Sequence, residues 1–283
     1  MSKKIFNTSE IKVLIDKLYP ICRSIMGPGY RESLNIIKTI IPFQDNIFKT
    51  GKNVYDWTIP DEWAIEEGYI LRPDGKKIAD FKKHNLYVMN YSSPVNKFLT
   101  YQELKNHIYT IPRLPNAIPY THSYYDRKWG FGLKYNEFKK LPKKGKYKAY
   151  INSKHYRGKL ITSHLKLKGK KKKEIMLTSY LCHPQMANHE LSGPIMMTLL
   201  YRYIKSLPKR NYTYRFMICP ENIGSISYLS KYGEDLKKNL DGGLILNCLA
   251  HGKDFTYKKT REAESLINKV VYNVMKHSKF KFV

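Results

Sequence analysis

Long apolar runs alternate with helix-like segments in the second half of the chain, and this order restricts the folds open to it. The runs at 174–181, 212–219 and 242–250 are typical of strands buried on both faces. Helical patterns at 193–207 and 261–276 lie between and after these runs. Because parallel neighbours need crossover connections, we expect an α/β fold with a mixed, mostly parallel sheet and helices on both faces.

The first 122 residues have a different character and predict two further parts. Apolar residues recur with a helical period as far as Ile41, and Ser9 is the candidate N-cap of the first helix. Short β-like runs, separated by turn-forming residues, then follow. We therefore predict N-terminal helices of the core at 1–42, an inserted β-rich subdomain at 43–122 and the main α/β core at 123–283.

The net charge of +28 raises the question of nucleic-acid binding. The lysines are spread along the chain, and their densest runs, at 141–148 and 165–174, contain glycine and are typical of solvated turns. No helix-turn-helix, zinc-finger or RNA-binding signature accompanies them. We therefore expect no specific nucleic-acid partner, although the charge favours a loose attraction to anionic polymers.

The sequence predicts a cytoplasmic protein without a membrane partner. No apolar stretch approaches the roughly 20 residues that span a bilayer, and the N-terminus has no apolar signal region. The four cysteines form no CxxC pair, and three of them lie in apolar runs. Buried free thiols are therefore expected in preference to disulfides or metal ligands.

Polar residues follow each of the three predicted core strands. His183 comes after the first run, Glu221 after the second and His251 after the third. Ligands of open α/β sheets bind beyond the carboxyl ends of the strands. The three strand ends together therefore predict a binding site at one edge of the sheet.

Two histidines belong to one segment, LCHPQMANHELSGP, which contains His183 and His189. A loop of this length can fold back and place both imidazoles on one metal ion, with the start of a helix behind them. The alternative for each is a structural histidine held by hydrogen bonds. For His251 the alternative is an ordinary turn after a strand.

Glu221 follows an apolar run and a proline, where a carboxylate is costly unless it is paired or bound to a metal. Its functional role would be that of a metal ligand or of a general base that activates water. The alternative is a cap for the helix predicted at IGSIS.

Several stretches, in one consistent order, resemble a known family of bacterial proteins. They are LYPICRSIMGPGYRESL, VYDWTIPDEW, HNLYVMNYSSPV, TIPRLPNAIPYTHSYYDRKWGF, LTSYLCHPQMANHELSGP and YTYRFMICPENIGSISYL. The chain resembles the aminopeptidase-like proteins linked to polysaccharide biosynthesis, the DUF4910 group with its inserted DUF2172 domain. These are distant relatives of the M28 zinc aminopeptidases, so the resemblance implies a zinc-aminopeptidase-like fold.

The resemblance also implies roles for individual residues. It makes His183 a zinc ligand and matches Glu221 to the acid after the central strand. His189 stands where related aminopeptidases have an aspartate that bridges two metals, and His251 stands about where another metal-binding acid is expected. Because an imidazole donates one lone pair to one metal, we expect one Zn²⁺ ion and not a two-metal centre.

In the family, further strands follow the closing helix, whereas this sequence ends at HSKFKFV. On this comparison we expect the C-terminal part of the core to be missing. A sheet that lacks these strands would have an open edge and exposed apolar surface, which favours self-association.

The leading hypothesis is a zinc-dependent, aminopeptidase-like hydrolase of a peptide or amide bond, with a possible place in polysaccharide biosynthesis. Glu221 would activate the attacking water, and the partner would be a small peptide-like or amide substrate. The rival hypothesis is a catalytically inactive, truncated relative that serves as a binding or accessory module. A basic polymer-binding protein is the third.

Overall fold

The chain forms a five-stranded and a four-stranded sheet, in a computed structural model that describes residues 7–252 and 254–278. The helices are α1 (Thr8–Leu18), α2 (Pro28–Lys38), α3 (Tyr101–Leu104), α4 (Tyr135–Phe138), α5 (Ser192–Ser206), α6 (Ile223–Asn239) and α7 (Leu266–Lys276). The strands are β1 (Gln44–Lys49), β2 (Asn53–Val54), β3 (Trp57–Thr58), β4 (Glu62–Leu71), β5 (Lys77–Ile78), β6 (Val95–Leu99), β7 (Ile108–Tyr109), β8 (Phe131–Gly132), β9 (Tyr147–Tyr156), β10 (Lys159–Leu167), β11 (Glu174–Tyr180), β12 (Thr213–Cys219) and β13 (Leu240–Ile245).

The large sheet has the order β1-β10-β12-β11-β13. β11 pairs in parallel with both β12 and β13, whereas β10 is antiparallel to β1 and to β12. Alternate side chains of β12 enter different cores: Phe216 and Ile218 face one, and Met217 and Cys219 face the other. The predicted mixed α/β sheet with helices on both faces is confirmed.

Helices that leave neighbouring strands cover opposite faces of this sheet. α5 follows β11 and packs, with α1 and α2, on the face of Phe216, whereas α6 follows β12 and packs on the face of Met217. Two parallel neighbours whose connections diverge in this way leave a crevice beyond their carboxyl ends. The topology therefore places a crevice where β11 and β12 end.

The smaller sheet, with the order β5-β4-β9-β6, has its own apolar core. In both sheets, strands from inside the 43–122 segment pair with strands from outside it. β1 lies inside that segment but pairs with β10 in the large sheet, and its Phe48 packs in a core with Leu160. β9 lies beyond the segment but pairs with β4 and β6.

Side chains cap the first turns of α1 and α3. Thr100 and Glu103 form a capping box at the start of α3. The N-cap of α1 is Asn7 and not Ser9, because the Asn7 side chain accepts a hydrogen bond from the Ser9 amide at 3.0 Å. Of the cysteines expected to be buried, Cys248 is exposed.

An apolar stripe remains exposed on the last helix. Leu266, Val270 and Val274 are spaced four residues apart on α7 and are 62%, 48% and 62% exposed, and Ile245 of β13 is 68% exposed. Only a strand on one side pairs with β13 among the described residues. The self-association expected from the sequence stays a prediction. No helix in the described ranges has the length and apolarity needed to cross a membrane.

Gly193 allows the first turn of α5 to lie against the sheet. A Cβ atom there would lie 2.0 Å from the Leu246 carbonyl oxygen and 2.3 Å from Ser179 Oγ. We expect Gly193→Ala to lower the free energy of unfolding by about 1–3 kcal/mol, because backbone must move to admit the methyl group. Urea unfolding measures this change.

The matched control is Gly233→Ala in α6, where the new Cβ atom would meet only Tyr55 Oη at 3.5 Å. Since alanine is the better helix former, this control should stabilise the protein by about 0.5–1 kcal/mol. Equal effects of the two substitutions would contradict the close approach at Gly193.

Candidate metal and catalytic site

The carboxyl ends of β11 and β12 bring the first two predicted residues together. The strands are in register at their ends, with Tyr180 opposite Cys219. His183 and Glu221 follow two or three residues later, and His183 Nε2 lies 3.5 Å from Glu221 Oε2. The crevice therefore contains an imidazole and a carboxylate from separate strand ends, as the sequence pattern predicts.

A buried carboxylate, Glu190, organises this end of the sheet. Its Oε2 accepts hydrogen bonds from the backbone amides of Cys182 at 2.6 Å and His183 at 2.9 Å. Its Oε1 is hydrogen-bonded to His183 Nδ1 and lies 3.0 Å from His189 Nδ1. Burial raises the pKa of Glu190, but the hydrogen bonds from His183 and His189 outweigh it and bring the pKa to about 2. Glu190 is therefore an ionised acceptor that fixes both rings.

The backbone around Glu190 takes an unusual form. Residues Ala187–Leu191 make a π-helical turn that leads into α5. Such turns are rare and are found frequently at functional sites. Sequence reasoning did not single out Glu190. Its place directly after His189, in a loop that returns to the strand end, was the available signal.

The hydrogen bond to Glu190 determines which nitrogen of His183 is free to bind a ligand. With Nδ1 directed at Glu190, Nε2 faces Glu221, and a carboxylate behind an imidazole in this way is a common support for metal-binding histidines. Bonds of 2.0–2.2 Å to a tetrahedral zinc place two ligand atoms roughly 3.4 Å apart. At 3.5 Å from His183 Nε2, Glu221 Oε2 is close enough to be a ligand of the same ion or a base beside it.

His189 lies beside this pair. Its ring centroid is 5.3 Å from that of His183, and the two ring planes are inclined by 49°. Its Nε2 is 3.4 Å from Tyr180 Oη, which is long for a hydrogen bond. The hydrogen bond to Glu190 raises the pKa of His189. His189 is therefore a candidate ligand that Glu190 also supports.

The structure does not bring His251 into this group. β13 ends at Ile245, and His251 is exposed in the turn that follows. The residue that reaches the site from this strand end is Asn247, which donates a hydrogen bond of 2.5 Å to Tyr180 Oη. Asn247 was not identified from the sequence.

Cys182 lies close to the donors of the site. Cys182, His183 and Glu190 each offer a ligand atom within 4.8 Å of the others. Burial, reinforced by the charge of Glu190, raises the pKa of the Cys182 thiol well above its usual value. Its Sγ accepts a hydrogen bond of 3.2 Å from the Glu221 amide. In this arrangement the thiol supports the backbone at Glu221.

Arg23 links the N-terminal helices to the site. Its side chain is fully buried, and Nε donates a hydrogen bond of 2.9 Å to the His183 carbonyl oxygen. Burial lowers the pKa of Arg23, although the Glu190 charge opposes the change. The segment CRSIMGPG, seen in the sequence only as a glycine-rich connection, therefore positions the His183 backbone.

An aromatic wall from the segment after β7 completes the site. The Tyr120 ring lies edge-on to His183, with centroids 4.9 Å apart. His122 is stacked on Tyr124 at 4.2 Å and is exposed. Burial, and then the charge of His183, lowers the pKa of His122. The sequence contained no periodic signal for these residues, because they come from a proline-rich connection.

Strained backbone residues follow all three parallel strands. Gln185, Asn222 and Cys248 have φ angles of 43°, 56° and 51°. Non-glycine residues with positive φ are uncommon and cluster at functional sites. The strain therefore coincides with the loops that carry the candidate residues.

Comparison with known proteins agrees with this architecture. The model of a family described as a domain of unknown function, DUF4910, matches residues 12–283. A Clostridium acetobutylicum protein named for polysaccharide biosynthesis, with an aminopeptidase-like domain, is 41% identical over 281 residues, which are 98% of this chain and 64% of that protein.

Solved structures show the same likeness. A crystal structure of a Clostridium acetobutylicum protein described as a peptidase has a TM-score of 0.92 at 40% identity, over 97% of this chain and 64% of that one. A zinc aminopeptidase from Bacillus subtilis has a TM-score of 0.59 at 14% identity, over 94% of this chain and 76% of that one, which shows a shared fold alone. This chain belongs to the DUF4910 family, and its α/β domain has the aminopeptidase-like fold.

Proposed function

We propose that this chain is a zinc-dependent, aminopeptidase-like hydrolase that cleaves a peptide or amide bond. The observation that carries the proposal is the pair formed by His183 Nε2 and Glu221 Oε2, 3.5 Å apart, with Glu190 behind the imidazole. The names of the relatives support an aminopeptidase-like chemistry and a place in polysaccharide biosynthesis.

The ligands proposed for one zinc ion are His183 and His189, with Glu221 beside them. When bound, zinc supplies Lewis acidity toward a carbonyl oxygen. The Glu221 side chain is 39% exposed, so water can reach its carboxylate. Glu221 is proposed to take a proton from the water that attacks the carbonyl carbon and to return it to the leaving amine. Glu190 holds the imidazoles in place throughout.

A specific observation favours the second candidate, a binding or accessory module without catalysis. Glu190 already accepts hydrogen bonds from two backbone amides and two imidazoles, so the network is satisfied without a metal. Glu190 therefore has no free oxygen with which to bridge two ions, as a two-metal aminopeptidase centre would need.

Metal content separates the two candidates. Elemental analysis of purified protein should find about one zinc per chain, and His183→Ala should lose it because the proposed set loses an imidazole. His107→Ala is the matched control, since that ring is stacked on Trp129 at 3.6 Å. His251→Ala should also keep zinc, because His251 is exposed in a turn. Protein that binds no zinc would favour the accessory module.

Hydrolysis of aminoacyl amides tests the chemistry. Glu221→Gln should lower kcat by about 10²–10⁴-fold, since it removes the proton acceptor while keeping the shape of the side chain. Glu234→Gln, at an 88% exposed position on α6, should leave kcat unchanged. Equal rates for Glu221→Gln and wild type would contradict the proposed role of Glu221.

A further inference from the structure

A column of aromatic rings runs from the buried core to the edge of the site. Trp63 is stacked on Tyr91 with centroids 5.7 Å apart, and Tyr91 meets Tyr124 edge-on at 5.2 Å. Tyr124 is stacked on His122 at 4.2 Å, with the two ring planes 14° apart. Trp63 and Tyr91 are buried, whereas His122 is exposed. The column therefore ends in a flat ring with one face covered by Tyr124.

The exposed end of the column lies beside the proposed zinc ligands. Tyr120 contacts both sides, because its ring centroid is 4.9 Å from that of His183 and 5.7 Å from that of His122. Its hydroxyl group is hydrogen-bonded to that of Tyr124. Tyr120 therefore links His122 to His183, and His122 lies one ring beyond the His183–Glu221 pair.

Backbone hydrogen bonds fix this arrangement. The Asn90 amide donates to the Thr121 carbonyl oxygen, and the Ser123 amide donates to the Asn90 carbonyl oxygen, both at 2.9 Å. The Asn90 side chain donates to the Arg23 carbonyl oxygen at 2.9 Å, and Arg23 in turn holds the His183 carbonyl oxygen. His122 is thus tied to the same framework as His183, and a rigid surface costs little ordering entropy when a ligand binds.

We propose that His122 is a substrate-contacting residue whose open ring face stacks on a ring-shaped group of the substrate, next to the scissile amide. Flat rings offset over one another are attracted beyond the area that they bury. Two kinds of ring have the required apolar face: an aromatic ring presents a flat π-face, and a pyranose presents a set of axial C–H groups. This inference rests on the proposed hydrolase function and names the class of substrate that the site selects.

Calorimetry tests the proposal on Glu221→Gln protein, which should bind amides without cleaving them. The ligands are the anilide, the glucosylamide and the unsubstituted amide of one amino acid. We expect one or both ring-bearing ligands to bind roughly three- to tenfold more tightly than the unsubstituted amide. The ring-bearing ligand that binds more tightly than the unsubstituted amide identifies the kind of ring.

Added substitutions assign the preference to His122. His122→Ala should abolish it, and His122→Phe should keep it because the flat ring remains. Tyr125→Ala is the matched control, since this 55% exposed neighbour contacts Trp57 and not His122. A preference that survives His122→Ala, falls equally in Tyr125→Ala or is absent from the start would overturn the proposal.

The two proposals fail in different ways. Protein without zinc or amide hydrolysis overturns the hydrolase function, whereas a ring preference that depends on His122 is measured by binding alone. Hydrolysis that depends on Glu221, together with equal affinity for all three amides, overturns only the role of His122. No measurable binding of any amide overturns the role of His122 as well.

Discussion

Replacing Glu190 with glutamine should lower the free energy of unfolding by about 3–5 kcal/mol at pH 7. The carboxylate is fully buried and accepts hydrogen bonds from backbone amides and from the His183 and His189 rings. Glutamine has the same shape but only one acceptor oxygen. Its NH₂ group would point at hydrogen-bond donors of the backbone or of the imidazoles, which would lose their acceptor. Urea unfolding of chelator-treated protein measures the effect without any contribution from bound metal.

The pH dependence of this difference follows from the pKa of Glu190. Although burial raises it, the bonds from His183 and His189 bring it to about 2, below the ordinary value of 4.5. A group whose pKa is lowered by folding stabilises the native state above its unfolded pKa, and this contribution is lost as the pH falls toward the folded pKa. The difference between wild type and Glu190→Gln should therefore narrow between pH 4.5 and 2. Because Glu190 also raises the pKa of His189 above 6.5, the part of the difference that comes through His189 should be lost as the pH rises through that raised pKa.

Glu264→Gln is the control for this experiment, because the Glu264 side chain is 87% exposed beside Lys269. Surface ion pairs of this kind contribute about 0–1 kcal/mol. A Glu190→Gln variant as stable as this control at pH 7 would show that Glu190 does not hold the site together.

The part of the site that the sequence predicted came from strong, local patterns. His183 follows the apolar run of β11, and Glu221 follows that of β12. A buried parallel sheet brings the carboxyl ends of such strands to one edge. The mixed α/β fold followed from the same alternation of runs and helices. These features could be predicted because hydrophobic periodicity depends only on residues that are close in the sequence.

The residues that the sequence did not predict depend on contacts between distant segments. Arg23 reaches His183 across 160 positions, and the Asn90 amide is paired with Thr121. Glu190 was hidden next to His189, because a regular helical turn would not direct both side chains to one strand end. The π-helical turn directs both side chains to that strand end, and no periodic pattern in the sequence predicts such a turn.

The third strand shows how a boundary error displaces a candidate residue. The apolar run GGLILNCLA predicted a strand up to Ala250, followed by His251. β13 ends at Ile245, and the chain then turns at Cys248, which has a φ angle of 51°. Asn247 therefore reaches Tyr180, while His251 is carried into the exposed turn.

A second buried charge, Arg215 on β12, should be as important for stability as Glu190. Its fully buried guanidinium donates from Nε to Glu174 Oε2 at 2.5 Å and from Nη1 to Tyr228 Oη at 2.7 Å, and it is paired with Asp235. Arg215→Met should lower the free energy of unfolding by about 3–5 kcal/mol, because Glu174, Tyr228 and Asp235 lose a shared partner at once. Lys166 Nζ, 2.7 Å from Glu174 Oε1, compensates only part of this loss. Urea unfolding again gives the value.

A double-mutant cycle separates the loss of the ion pair from the loss of packing. If the cost of Arg215→Met arises from the charge left on Glu174, then Arg215→Met combined with Glu174→Gln should cost about 1–3 kcal/mol less than the sum of the single changes. Arg202→Met is the matched control, since Arg202 pairs with Glu10 at the surface and should contribute about 0–1 kcal/mol. Additive single and double effects would instead show that Arg215 stabilises β12 by packing alone. The strand that delivers Glu221 would then not depend on the buried ion pair for its stability.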